Sequence, residues 1–183
     1  MISIVQKDNP VLRDVAKEVP LSEIKTPKFQ KILADMINAL DSQEDGVAIA
    51  APQIGVPLRI FIVTERALEV PDDVEERRKQ PKNENKKYGH IVYINPVITK
   101  LSKTKAMLEE GCLSVRYAYG KVSRSTKATV KALNEKGEPF IKGAKGLMAQ
   151  IFQHETDHLN GTLFIDKAVD VQEIPPEEIV SSN

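Results

Sequence analysis

The chain has 183 residues, 41% of them hydrophobic and 28% charged, enough for one domain with its own hydrophobic core. Lysine plus arginine and aspartate plus glutamate number 26 each, so the net charge is zero, and no general affinity for nucleic acid or a membrane surface is expected. No apolar run reaches membrane-spanning length, no signal peptide is evident in the first ten residues, and a single cysteine cannot form an internal disulfide, which points to the cytoplasm.

Asn9-Pro10 reads as a helix cap followed by proline at the first helical position, predicting a short helix over residues 10–17. Thr26-Pro27 repeats the signal, and Phe29, Ile32, Leu33, Met36, Ile37 and Leu40 follow helical spacing, predicting an amphipathic helix to about Ser42. Residues 46–55 are small and apolar and read as a packed loop before a buried strand at 58–63. Residues 65–87 are crowded with charge and hold Pro71 and Pro81. They read as a surface insertion, with a lid or partner contact as the alternative and a helical turn within 72–78. Further strands are expected at 91–98, 105–108, 120–123 and 128–133, with a hairpin-like turn at 134–137. A second long helix starts at Gly146 and stops at Asn160-Gly161. Residues 169–183 read as a short, loosely ordered tail. The order of elements predicts one α+β domain with mostly antiparallel strands around a central helix.

Two of the three histidines fall in the run His154-Glu155-Thr156-Asp157-His158, an H-E-x-x-H motif. Residues four apart share a helix face, so both imidazoles can reach one metal ion, and Glu155 can serve as base to a bound water. The lone cysteine, Cys112, lies in Glu110-Gly111-Cys112-Leu113-Ser114. A buried apolar role is the ordinary one for such a cysteine. As a thiolate it would complete a His2Cys set with one position open, the arrangement of a catalytic site. Gly111 lets the backbone pass closely, and Glu110 is an acid beside an otherwise β-like stretch, a placement that needs a reason. Gln53 is a polar amide in the apolar run from Gly46, and its nitrogen can donate to a developing oxyanion.

Taken together, these motifs resemble those of the peptide deformylases. The pattern G-x-G-x-A-A-x-Q corresponds to residues 46–53, E-G-C-L-S to residues 110–114 and H-E-x-D-H to residues 154–158. The likeness extends to Asn9-Pro10-Val11-Leu12-Arg13 and Asn95-Pro96 and covers most of the chain. The chain departs from the family pattern at Ala48, where a second glycine is usual, at Arg116, where proline is usual, and at Tyr119, where an arginine is often found.

The resemblance implies hydrolysis of the N-formyl group from formyl-methionyl nascent peptides, with release of formate. It implies one divalent ion on Cys112, His154 and His158, ferrous iron in the cell, with zinc or nickel fitting the same ligands. Glu155 would move the proton, while Gln53 and the Leu113 N–H would stabilise the oxyanion. The peptide is expected to lie extended between Gly46, Val47, Ala48 and Ile49 on one side and the chain around Gly111 and Cys112 on the other. Val47, Leu108, Leu147 and Ile151 are candidates for the methionine pocket or plain core, and Glu110 for binding the peptide backbone or ordering its neighbours. A monomer with transient ribosome contact, and with no sequence-specific nucleic acid or membrane partner, fits that picture. Two other readings stand beside it. A zinc endopeptidase would leave Cys112 unexplained, with no histidine after His158 to replace it. A non-catalytic relative would keep the fold as a binding module.

Overall fold

In a computed structural model, which describes residues 3–71 and 86–174, both capping signals form but only one grows into an α-helix. Thr26 Oγ1 accepts from the Phe29 N–H, and α1 runs over Pro27–Asp41 with Phe29, Leu33, Met36, Ala39 and Leu40 buried. Asn9 also caps, through Oδ1 to the Val11 N–H, yet the chain makes only a 3-10 turn at Pro10–Leu12. The reason is tertiary. The Ala16 N–H goes to Leu159 O and the Lys17 N–H to Pro57 O, each at 2.9 Å, so the donors that would continue a helix are used elsewhere.

A five-stranded antiparallel sheet follows the order β1 (Ala48–Ala50), β2 (Ile60–Thr64), β3 (His90–Leu101), β6 (Lys127–Leu133), β7 (Pro139–Lys145). A three-stranded sheet has the order β4 (Lys105–Cys112), β5 (Val115–Ser125), β8 (Val169–Glu173). Strand β2 is apolar from Ile60 to Val63 because both its faces are covered. Ile60 and Ile62 pack with α1, whereas Phe61 and Val63 pack with α2, the helix over Gly146–Leu159. The second cluster is centred on Tyr93, stacked on Phe61 at 4.5 Å and edge-on to Phe152 at 5.3 Å.

Helix α2 carries two stripes. Leu147, Met148, Ile151, Phe152 and Leu159 face the larger sheet. Gln150, Gln153, His154 and Asp157 bond to β4 and β5. The helix is therefore buried between the sheets, and its polar stripe is satisfied by protein rather than water. Beyond its end, Gly161 has φ 72°, and a Cβ there would lie 2.4 Å from Arg13 O. Only glycine permits both the turn and the approach.

The predicted α+β class and the central helix hold. The strands expected at 105–108 and 120–123 are parts of longer ones, β4 and β5, that pair across a two-residue loop, Leu113-Ser114. The apolar run after Gly46 is a short strand, β1, followed by a 3-10 turn at Ala51–Ile54. The tail is corrected in part. Residues 169–173 form β8 on the free edge of β5, and the Ile174 N–H donates to Tyr117 O at 2.7 Å. Main-chain pairing needs no apolar signature, so composition did not announce it. The helical turn suggested at 72–78 lies outside the described residues.

Candidate active site

The second half of α2 puts His154 and His158 on one side, with ring centroids 5.0 Å apart. The end of β4 brings Cys112 to them, its Sγ 3.2 Å from His158 Nε2. One ligand atom from each of Cys112, His154 and His158 lies within 4.8 Å of the other two. His154 Nδ1 sits 2.9 Å from Glu110 Oε2. A carboxylate only accepts, so Nδ1 carries the proton and Nε2 is left to coordinate.

Glu110 is held in turn. Arg124 Nε donates to Glu110 Oε1 at 2.7 Å, Arg124 Nη2 to Oε2 at 2.9 Å, and Arg124 Nη1 to Asp157 Oδ2 at 2.6 Å. Burial pushes the Glu110 carboxyl up, but the hydrogen bonds from Arg124 and His154 outweigh it and bring it down to about 2. Burial likewise raises the Cys112 thiol, but the neighbouring His158 and His154 draw it down to about 5, so the sulfur is readily a thiolate. Burial works against a charged His154, yet its bonds to Cys112 and Glu110 hold its pKa well above the ordinary histidine value. When the ring coordinates an ion, the second proton of the charged form, on Nε2, must leave, while Nδ1 keeps its proton toward Glu110.

Glu155 is 4% exposed, and its Oε2 is buried with no hydrogen-bond partner among the described residues. Burial raises its pKa, against the opposing pull of His154 and His158. Three converging soft and borderline donors beside an unpartnered buried carboxylate oxygen fit a divalent transition metal with a reactive ligand next to Glu155.

Gln53 approaches from the 3-10 turn after β1. The Ala50 N–H donates to Gln53 Oε1 at 2.8 Å, which fixes the amide orientation. Gln53 Nε2 then points to Ser114 Oγ at 3.2 Å and Cys112 Sγ at 3.5 Å. Leu113 is buried in the loop between β4 and β5, near Gly46, where a Cβ would stand 3.5 Å from Leu113 Cδ1. Gly111 is covered by the Tyr119 ring, which would be 2.7 Å from any Cβ at that position. The aromatic therefore occupies the space a side chain would take, right beside Cys112.

The expected pocket residues divide. Val47, Leu147 and Ile151 meet in one cluster with Ala48, while Ile49 turns to the α1 side. Leu108 lies on β4 opposite Val122. Of the two parts expected of Glu110, binding the peptide backbone or ordering its neighbours, the geometry fits the second, since both its oxygens are engaged by Arg124, Gln150 and His154. Arg124 and Asp157 were missed. The signal was available for Arg124: Ala118, Gly120, Val122 and Arg124 are the inward positions of β5, and an arginine in such a row requires a buried acid.

The family model described as polypeptide deformylase matches residues 1–173. The peptide deformylase of Carboxydothermus hydrogenoformans is 41% identical over 165 residues, covering 90% of this chain and 91% of that protein. The chloroplastic peptide deformylase 1A of Solanum lycopersicum is 37% identical, and the match covers 91% of this chain but 59% of that protein. The chain thus spans about three fifths of the length of the plant relatives it matches. A class I type b peptide deformylase from Acinetobacter baumannii, solved with Met-Ala-Ser bound, superposes with a TM-score of 0.76 at 30% identity, covering 91% of this chain and 98% of that one. The chain belongs to the polypeptide deformylase family.

Proposed function

We propose that the protein removes the N-formyl group from peptides beginning with formyl-methionine, releasing formate. The observation that carries this reading is the meeting of Cys112, His154 and His158 beside the unpartnered Glu155 Oε2, with the Gln53 amide alongside. An ion held by Cys112, His154 and His158 supplies Lewis acidity and makes water a nucleophile near neutral pH. Ferrous iron is the proposed ion in the cell, with zinc or nickel compatible with the same donors.

Glu155 takes a proton from the attacking water as the new carbon–oxygen bond forms. Gln53 Nε2 and the Leu113 N–H donate to the negative charge that develops on the formyl oxygen. Glu155 then gives its proton to the departing amine nitrogen as the carbon–nitrogen bond breaks, leaving formate and a free amino terminus. Its raised pKa suits both halves of that task, because it must accept and release a proton at similar pH. The peptide lies along the β1 edge near Gly46, Val47 and Ala48 and beside Gly111, paired by main-chain bonds that tolerate varied side chains. The methionine side chain fits the cluster of Val47, Leu147 and Ile151. We place the protein in the cytoplasm as a monomer acting on nascent chains, in transient contact with the ribosome. Among the described residues no helix is long and apolar enough to cross a membrane.

The test is formate release from formyl-Met-Ala-Ser under anaerobic conditions, comparing the iron, zinc and nickel forms. Turnover in at least one form is expected. No release from folded, metal-loaded protein would sink the assignment.

A further inference from the structure

The residues Ile4, Val5 and Gln6 run beside both oxyanion donors named above. The Val5 N–H donates to Gln53 O at 2.9 Å. Gln6 Nε2 donates to Leu113 O at 3.2 Å and to Ile4 O at 3.3 Å, while Gln6 Oε1 accepts a longer bond from the Arg116 N–H at 3.5 Å. One side-chain amide therefore spans the turn between β4 and β5. The Leu113 carbonyl and the Ser114 N–H belong to the same planar peptide unit. That N–H donates to Cys112 Sγ at 3.4 Å. Fixing the oxygen end of the unit fixes where its N–H points. On its other side the turn is tied by the Arg116 guanidinium to Asp45 at 3.1 Å and to Gln43. Gln6 is exposed, so its side chain adds nothing to the core, yet its amide is committed to this turn.

We propose that Gln6 is a positioning residue for the reaction. It sets the plane of the Leu113–Ser114 peptide, and through it the Ser114 N–H that donates to Cys112 Sγ, next to the preceding peptide unit that carries the Leu113 N–H. The inference rests on the deformylase reading, and its test separates the two.

Gln6→Ala and Gln6→Glu are compared with the unaltered chain in two assays. The first is steady-state turnover of formyl-Met-Ala-Ser by metal-loaded protein. The second is the rate of iodoacetamide alkylation of the metal-free protein at fixed pH, which reads Cys112 alone because the chain has one cysteine. One lost hydrogen bond lowers kcat about fivefold in Gln6→Ala, leaves KM within about twofold, and changes the alkylation rate by about twofold or more, with the thermal midpoint unmoved. Gln6→Glu keeps an acceptor for the Arg116 N–H but sets a carboxylate against Leu113 O, so its kcat falls at least as far. Unaltered kcat and alkylation in both variants, or a loss confined to KM, overturns the inference. If the unaltered chain itself releases no formate, the deformylase reading fails, and the alkylation rates still decide whether Gln6 holds the turn.

Discussion

Glu110 Oε2 grips His154 Nδ1 at 2.9 Å, and that one contact settles which nitrogen of the ring is free to bind a metal ion. The carboxylate can do this because Arg124 neutralises it inside the protein, with both side chains almost wholly buried. The chain Asp157, Arg124, Glu110, His154 thus begins and ends on the same helix, passing through β5 and β4 on the way.

Glu110→Gln therefore weakens two things at once. Arg124 loses half of a buried ion pair, which costs about 3 kcal/mol of stability. His154 loses its anionic support, which lowers metal affinity by about 10- to 100-fold. Thermal melts and chelator competition measure the two effects separately. Unchanged affinity would show that Glu110 does not orient the ligand.

Glu155→Gln preserves shape and leaves Cys112, His154 and His158 intact. Metal content stays at the unaltered level while kcat falls by about 10²- to 10⁴-fold, the usual worth of a positioned proton carrier. Metal analysis beside formate release checks it. A fully active variant would remove Glu155 from its role.

Gln53→Glu retains an oxygen for the Ala50 N–H but loses the Nε2 donor. The expected drop in kcat is about 10²- to 10³-fold, equivalent to about 2.7–4 kcal/mol of transition-state stabilisation. A rise in KM alone would mean that Gln53 contacts the peptide rather than the developing charge.

Cys112→Ala removes the one soft ligand of the set. Bound metal falls below one ion per chain in dialysed protein, and formate release falls with it. Retained metal and cleavage of internal peptide bonds by this variant would instead favour an endopeptidase built on the two histidines.

Tyr93 supplies a test of pH dependence away from the metal ligands. Its hydroxyl is buried without a hydrogen-bond partner among the described residues, and burial pushes its pKa up from 10.0 to about 12. A raised folded pKa favours the neutral form in the folded state. Its contribution to stability is therefore complete below pH 10 and is lost as pH rises through about 12. Tyr93→Phe removes that alkaline loss and the unsatisfied hydroxyl, for a gain of about 1 kcal/mol near neutral pH. Denaturation curves between neutral and alkaline pH, with phenolate absorbance followed alongside, check both claims.

Much of this was legible in the residues because much of it is local. The α1 cap and its buried stripe are set within a few residues of each other, as is the spacing of His154 and His158 on α2. The apolar run of β2 also announced itself, since a strand covered on both faces has no polar alternation to hide it. Elsewhere the same kind of signal misled. Asn9-Pro10 is as good a cap as Thr26-Pro27, but the donors after it were claimed by Leu159 and Pro57.

The sequence by itself determined the chemistry on offer: a helix able to present two imidazoles and a carboxylate, one thiol, and one amide in an apolar run. Which of these meet was decided by tertiary structure. Cys112 reaches His158 only because β4 ends beside α2, and Gln53 reaches Cys112 only because β1 leads into a 3-10 turn on the same side. The partners are far apart in the chain, so no local propensity encodes their distance. It is fixed by strand register and by buried charges, Glu110 and Arg124 above all, that find their hydrogen bonds only when the sheets and helix are packed together.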